Sequence, residues 1–398
     1  MERTGYSTEA CLRTMAFTPN RGGRMGLATM LKGPPGTGKS SIIDALCTKH
    51  GLHNETLITS LMESVDIGGY RVPDAASGYL KLYPPAFVER IVKAKKQGSV
   101  LFFDEINCAA TAANLDAALR IVNDLAVGPV KLPDNCRIFA AMNPPEMTHA
   151  GHEIGMALAN RFVTLEVSAE DTGSADEWID LYTRGFNDAV TLEEKACDVE
   201  ARVNEAWETV YPQYQGVIAG YISAHRSMLY QLPNINDPQA SMGWASKRSN
   251  ELAGRVLAGC DIHGNTDDET TRLLEGTIGA GPTRTLLTYL DDADLPDTAK
   301  LLDGQVKWKH DAGRIDRTIA VLTSGVALVT QGSRRDKSLH NSRVAAMWGL
   351  LNDVASCDLS QDVIISPAKA MTMAGLWSEK AIKATSKLRA LVDAIGAE

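Results

Sequence analysis

The chain has 398 residues, 44% hydrophobic and 22% charged, with 40 Lys and Arg against 49 Asp and Glu for a formal net charge of −9. That length gives room for two or three domains with ample core, the ordinary composition excludes a collagen-like or low-complexity chain, and the acidic balance gives no support to a general nucleic-acid binder. No apolar run approaches the ~20 residues of a membrane span and Met1 to Asn20 lacks a signal-peptide pattern; seven scattered cysteines (Cys11, Cys47, Cys108, Cys136, Cys197, Cys260, Cys357) without a C-x-x-C pair argue against a disulfide framework or zinc site and for a reducing, cytoplasmic setting.

Residues 1 to about 24 are polar and glycine-containing, which predicts a short helix and an entry loop. Leu27-Ala28-Thr29-Met30-Leu31 reads as a buried strand. It runs into Gly33-Pro34-Pro35-Gly36-Thr37-Gly38-Lys39-Ser40, which fits the phosphate-loop pattern G-x-x-x-x-G-K-[ST] at every fixed position. The glycines let the backbone turn tightly and bring its N–H groups against phosphate oxygens. Lys39 supplies a mobile point charge for the outer phosphates, and the Ser40 hydroxyl suits a magnesium ion. Ser40-Ser41 through Leu46 reads as a helix start, so the helix dipole points at the phosphates. The sequence therefore predicts a nucleoside triphosphate bound across Gly33 to Ser41.

Thr56-Leu57-Ile58-Thr59 predicts a second strand. Asp66 to Tyr83 holds two β-prone segments around a small-residue turn, which predicts a hairpin or protruding loop. Pro84 to Lys95 is an amphipathic helix with Phe87, Ile91 and Ala94 on one face, and Lys93, Lys95 and Lys96 form its solvated end. Val100-Leu101-Phe102-Phe103-Asp104-Glu105 is a buried strand with two carboxylates at its C-terminal end, where ligands sit in open α/β sheets. Asp104 suits the magnesium shell, and Glu105 suits polarising the attacking water. Leu115, Ala118, Leu119 and Val122 follow at helical spacing, and Gly128-Pro129 with Pro133-Asp134 predicts a second hairpin-like insertion at 125–135. Arg137 to Asn143 is another buried strand, ending in an Asn that either bonds the γ-phosphate or lytic water or caps its loop. His149 and His152 have no partners to complete a metal set. Ala157-Leu158-Ala159-Asn160-Arg161-Phe162 leads into the strand Val163 to Val167, and Arg161 either reaches a neighbour's phosphate or makes a surface salt bridge.

The set GPPGTGKS, LFFDEIN, AAMNPP and ANRF, in this order and spacing, resembles the AAA+ ATPases, specifically the MoxR-like and dynein-related branch. The resemblance implies an α/β fold: a three-layer αβα domain with a parallel sheet, followed by a helical lid and a helical C-terminal extension. It implies ATP or ADP with Mg²⁺ on the phosphate loop, Asp104 and Glu105 as the Walker B pair, Asn143 as sensor 1, and Arg161 as an arginine finger toward the adjacent subunit of a ring, commonly a hexamer. It also implies that 66–83 is the helix-2 insertion hairpin and that 125–135 is the pre-sensor insertion, both facing a pore or client. The pattern departs at Cys108, where many relatives carry Arg.

Beyond the sheet, 168 to about 190 is acidic and Val199 to Leu232 has helical periodicity. Ser246-Lys247-Arg248 opens a helix through Leu252, Val256 and Leu257, which resembles the sensor 2 motif and implies Arg248 on the nucleotide phosphates. Thr277 to Asp297 resembles a segment of MoxR-like ATPases often encoded beside von Willebrand A-type proteins. Ile315 to Val329, Val344 to Val354 and Glu379 to Ile395 predict helices of the extension, and Arg334-Arg335 a charged loop. The expected division is 1–167, 168–290 and 291–398. The expected function is ring ATPase action on a protein partner, against a nucleic-acid motor or a slowly hydrolysing scaffold on the same core.

Overall fold

The computed structural model describes residues 7–108, 111–147, 154–169, 171, 174–184, 190–234, 241–332, 336–357, 362–377 and 388. The expectations for His149 and His152, for the Arg334-Arg335 loop and for nearly all of the helix at 379–395 lie outside these residues. In chain order the elements are α1 (Thr8–Phe17), β1 (Thr29–Lys32), α2 (Lys39–His50), β2 (His53–Ile58), α3 (Ser64–Gly68), β3 (Tyr70–Pro73), β4 (Leu80–Tyr83), α4 (Ala86–Lys93), β5 (Ser99–Asp104), α5 (Ala112–Asp124), β6 (Ala126–Val127), β7 (Val130–Lys131), β8 (Cys136–Met142), α6 (Met156–Ala159) and β9 (Val163–Glu166). Helices follow: α7 (Ala175–Arg184), α8 (Ala196–Ala224), α9 (Lys247–His263), α10 (Asp267–Ile278), α11 (Ala280–Ala293), α12 (Thr298–Leu302), α13 (Ile315–Gln331), α14 (Lys337–Ala355) and α15 (Asp362–Met373).

Five strands form one sheet in the order β2-β5-β8-β1-β9, all neighbours parallel. Successive side chains alternate across a strand, and β5 serves both faces. Val100 and Phe102 join the core under α1 and α2 and the helices α8 to α11, while Leu101 and Phe103 join the core under α4 and α5. A sheet covered on both sides explains why β5 and β8 read as continuous apolar runs. Strand β1 starts two residues later than the sequence suggests, because the Leu27 amide is taken by the Met15 carbonyl at 2.8 Å.

The polar reading of the N-terminal stretch misses the depth of α1. Cys11, Leu12, Met15, Ala16 and Phe17 are fully buried. Arg137, itself buried, bonds the Ala16 carbonyl at 2.8 Å, pairs with Glu200 at 2.5 Å and lies 4.7 Å from the Phe17 ring. The two insertions are antiparallel hairpins, β3–β4 and β6–β7, with Asp66 to Gly68 helical in α3. Helix α10 lies against β9 so closely that a β-carbon on Gly276 would stand 1.8 Å from the Thr164 carbonyl oxygen. A third core, centred on the fully buried Trp348, joins α12 to α15. Helix α15, which contains Pro367, is not among the elements the sequence predicts. No described helix is long and apolar enough to cross a membrane.

Candidate nucleotide site

The phosphate loop bridges the C-terminal end of β1 and the N-terminus of α2. Gly33 donates its amide to the Met142 carbonyl at 3.2 Å. Only glycine fits there, since a β-carbon would stand 2.0 Å from the Val167 carbonyl oxygen. Gly36 and Gly38 have φ of 80° and 84°, the left-handed region where a β-carbon clashes. Gly38 caps α2, so the amides of Lys39, Ser40 and Ser41 open the helix with no carbonyl one turn back. Thr37 closes the loop by donating its hydroxyl to the Pro34 carbonyl at 3.0 Å. Such a ring of N–H groups at a helix N-terminus is an anion cradle.

Lys39 is buried and reaches back over the loop. Its Nζ donates to the Gly33 and Pro34 carbonyls at 2.8 and 2.7 Å and to Asn143 Oδ1 at 2.9 Å, all neutral acceptors. Burial pulls its pKa below the ordinary lysine value, and the Asp104 and Glu105 carboxylates pull it back. A buried cation with only neutral hydrogen-bond partners fits an anionic ligand. Ser40 Oγ donates to Asp104 Oδ2 at 2.8 Å, a hydroxyl and a carboxylate side by side. Hard oxygen donors of that kind fit magnesium, and Ser40 and Asp104 are the residues that would hold it.

The strand order explains how these groups meet. β8 lies between β1 and β5, so Asn143, just past β8, stands between the loop and the acidic pair. It is fixed from two sides, by Lys39 at its side-chain oxygen and by Asn107 Nδ2, which donates to its carbonyl at 2.8 Å. Glu105 has φ of 53°, uncommon for a residue with a side chain. The Thr59 hydroxyl contacts the Asp104 and Glu105 carbonyls at 3.0 and 2.7 Å, and Ser60 Oγ donates to Glu105 Oε2 at 2.5 Å. Thr59, Ser60 and Asn107 have no role in the sequence reading. The one signal for the first two is a hydroxyl pair closing a strand beside the acidic one.

Lys39, Ser40, Asp104, Glu105 and Asn143 are thus brought together. Arg161 and Arg248 are not bonded to any of them. Arg161 donates through Nε to Asn123 Oδ1 and through a terminal nitrogen to the Ala157 carbonyl. Burial lowers its pKa first, then the nearby Arg248, with Asp124 acting the opposite way. Arg248 is exposed on the first turn of α9.

Residues 29–149 match the family model described as ATPase family associated with various cellular activities (AAA). No curated protein matches the sequence. A solved structure from Cytophaga hutchinsonii ATCC 33406, provisionally named an ATPase, is similar over 70% of this chain and 86% of its own, at 14% identity and a TM-score of 0.44. The assignment rests instead on the family match, which spans the loop, the acidic pair and Asn143. Residues 29–149 are an AAA ATPase domain, built for nucleotide binding on a parallel α/β sheet.

Proposed function

We propose that the chain is a magnesium-dependent ATPase of the MoxR-like or dynein-related kind, acting in the cytoplasm as a ring of identical subunits, commonly six, on a protein partner. The observation that carries this reading is the assembled set of Lys39, Ser40, Asp104, Glu105 and Asn143, with a polarising carboxylate beside the phosphate cradle. Lys39 and the amides at the start of α2 hold the phosphates of ATP. Ser40 and Asp104 would hold magnesium, which would supply neutralisation of phosphate charge. Glu105 orients a water for in-line attack, and Asn143 hydrogen-bonds the γ-phosphate or that water. Arg161, set apart from its own phosphate loop, stabilises the developing charge on the nucleotide of the next subunit, an effect of roughly 10³–10⁵ in rate. Residues 168–290 serve as the lid and 291–398 as the extension.

A protein partner is favoured by the β3–β4 hairpin, where Tyr70, Tyr79, Leu80 and Tyr83 are exposed and Lys81 is paired with Asp74 at 2.5 Å. A nucleic-acid motor needs a cluster of free cations at such a tip, and here Arg71 is the one cation of the hairpin without an ion pair among the described residues. The partner class that the resemblance suggests is a von Willebrand A-type protein. In Glu105→Gln, ATP affinity is expected to persist while phosphate release stops. Equal loss of affinity would reject the role of Glu105. A pull-down with the same variant and ATP would then identify what the ring holds.

A further inference from the structure

Asn160 stands between Arg161 and the lid. It is buried at 7% exposure on the turn after α6, one residue before Arg161. Both ends of its amide are used: Nδ2 donates to the Trp244 carbonyl at 2.9 Å, and Oδ1 accepts from Ser246 Oγ at 2.7 Å. Ser246 is the N-cap of α9, and its Oγ also accepts the Ser249 amide at 3.1 Å, while Ser249 Oγ donates to the Trp244 carbonyl at 2.6 Å. Trp244 returns the contact, its Nε1 donating to the Met156 carbonyl on α6 at 3.4 Å. The segment bearing Arg161 is therefore bonded to the cap of the helix whose second residue is Arg248.

Neither arginine forms an ion pair with a carboxylate among the described residues, although the Asp124 charge acts on Arg161 from farther off. The hydrogen-bond acceptors of Arg161 are an amide and a backbone carbonyl, and Arg248 makes no hydrogen bond or ion pair among the described residues. Two nearby guanidinium groups without a bonded carboxylate repel each other, and stay close only because the surrounding framework holds them. After burial, the Arg248 charge is the next cause of the lowered pKa of Arg161, in agreement with that proximity.

We propose that Asn160 is a positioning residue: by gripping the cap of α9 it makes Arg161 and Arg248 one rigid cationic unit, offered together to the phosphates of ATP on an adjacent subunit. The proposal rests on the hydrolytic ring reading above. Because Arg161 leads directly into β9, the bond ties Arg248 to the edge of the sheet. Asn, with one donor and one acceptor, is required. Asp at 160 could not donate to the Trp244 carbonyl.

The test uses the full chain with Asn160→Ala, Asn160→Asp, Ser246→Ala, Ser246→Thr, the Asn160→Ala/Ser246→Ala double variant and Arg161→Ala. It reads steady-state ATP hydrolysis, ATP affinity, thermal unfolding and amide hydrogen exchange over residues 157–162. Asn160→Ala and Ser246→Ala are each expected to lower kcat about ten- to a hundredfold, with ATP affinity nearly unchanged, as misplacement of a charge by about an ångström does. The double variant is expected to lose less than the product of the two single losses, because both remove the Asn160–Ser246 bond. Ser246→Thr, which keeps the hydroxyl, is expected to retain wild-type turnover. Exchange at 157–162 is expected to rise in Asn160→Ala. Turnover of Asn160→Ala within about twofold of wild type, with Arg161→Ala inactive, overturns the proposal and leaves the ring reading standing. Unchanged exchange at 157–162 overturns it whatever the turnover. Full turnover in Arg161→Ala instead removes the ring reading itself.

Discussion

Glu105 occupies a left-handed backbone conformation that costs a non-glycine residue on the order of 1 kcal/mol. Thr59 holds the carbonyls on either side of it, and Ser60 grips its carboxylate. A carboxylate engaged by a hydroxyl is less free to polarise water, so Ser60→Ala is expected to raise basal ATP turnover by up to about tenfold, the size of one charge-assisted hydrogen bond. Unchanged phosphate release would show that Ser60 does not restrain Glu105. His263 gives a stability test. Burial first, then Arg13, Arg202 and His50, push its pKa down from 6.5 to about 4. The unfolded chain thus binds a proton near pH 6.5 that the folded chain refuses until about pH 4. Stability falls as pH drops through that window, by about 3 kcal/mol at most, and His263→Gln is expected to flatten that part of the pH–stability curve measured by urea unfolding. The phosphate loop and Asp104-Glu105 were legible because each is a short run whose spacing dictates its geometry. Ser60 and Asn160 were not, because their partners lie 45 and 86 residues away, at distances only the tertiary fold creates.

At the scale of elements, the contact between α10 and β9 is backbone against backbone. Gly276→Ala is expected to destabilise the chain by about 1–3 kcal/mol, because the Thr164 carbonyl has to shift. A lowered midpoint in thermal unfolding checks it, and an unchanged midpoint would mean that α10 moves off the strand freely. The sheet strands were readable from apolar runs and the hairpins from their turn residues. Helix α1 was read too lightly, because its apolar residues are interspersed with Thr and Arg. Its burial depends on Arg137 and Glu200, residues far along the chain. Arg161 and Arg248 look like separate signals in the sequence. Asn160 and the cap of α9 bring them into one neighbourhood.

For the whole molecule, the decisive property is that the cradle and the unpaired arginines do not meet within one chain among the described contacts. Mixing Lys39→Ala protein with Arg161→Ala protein, each inactive alone, is expected to restore part of the ATPase activity. Absence of rescue at any ratio would count against a shared site. In the proposed ring such a junction would have to open and close as nucleotide turns over, and the packing of α10 bears on how. With α10 seated against Thr164 on the outer flank of β9, that rim of the sheet is covered there by a helix. Under the ring proposal, copies that meet on that side would do so through side chains, a seam expected to loosen with salt.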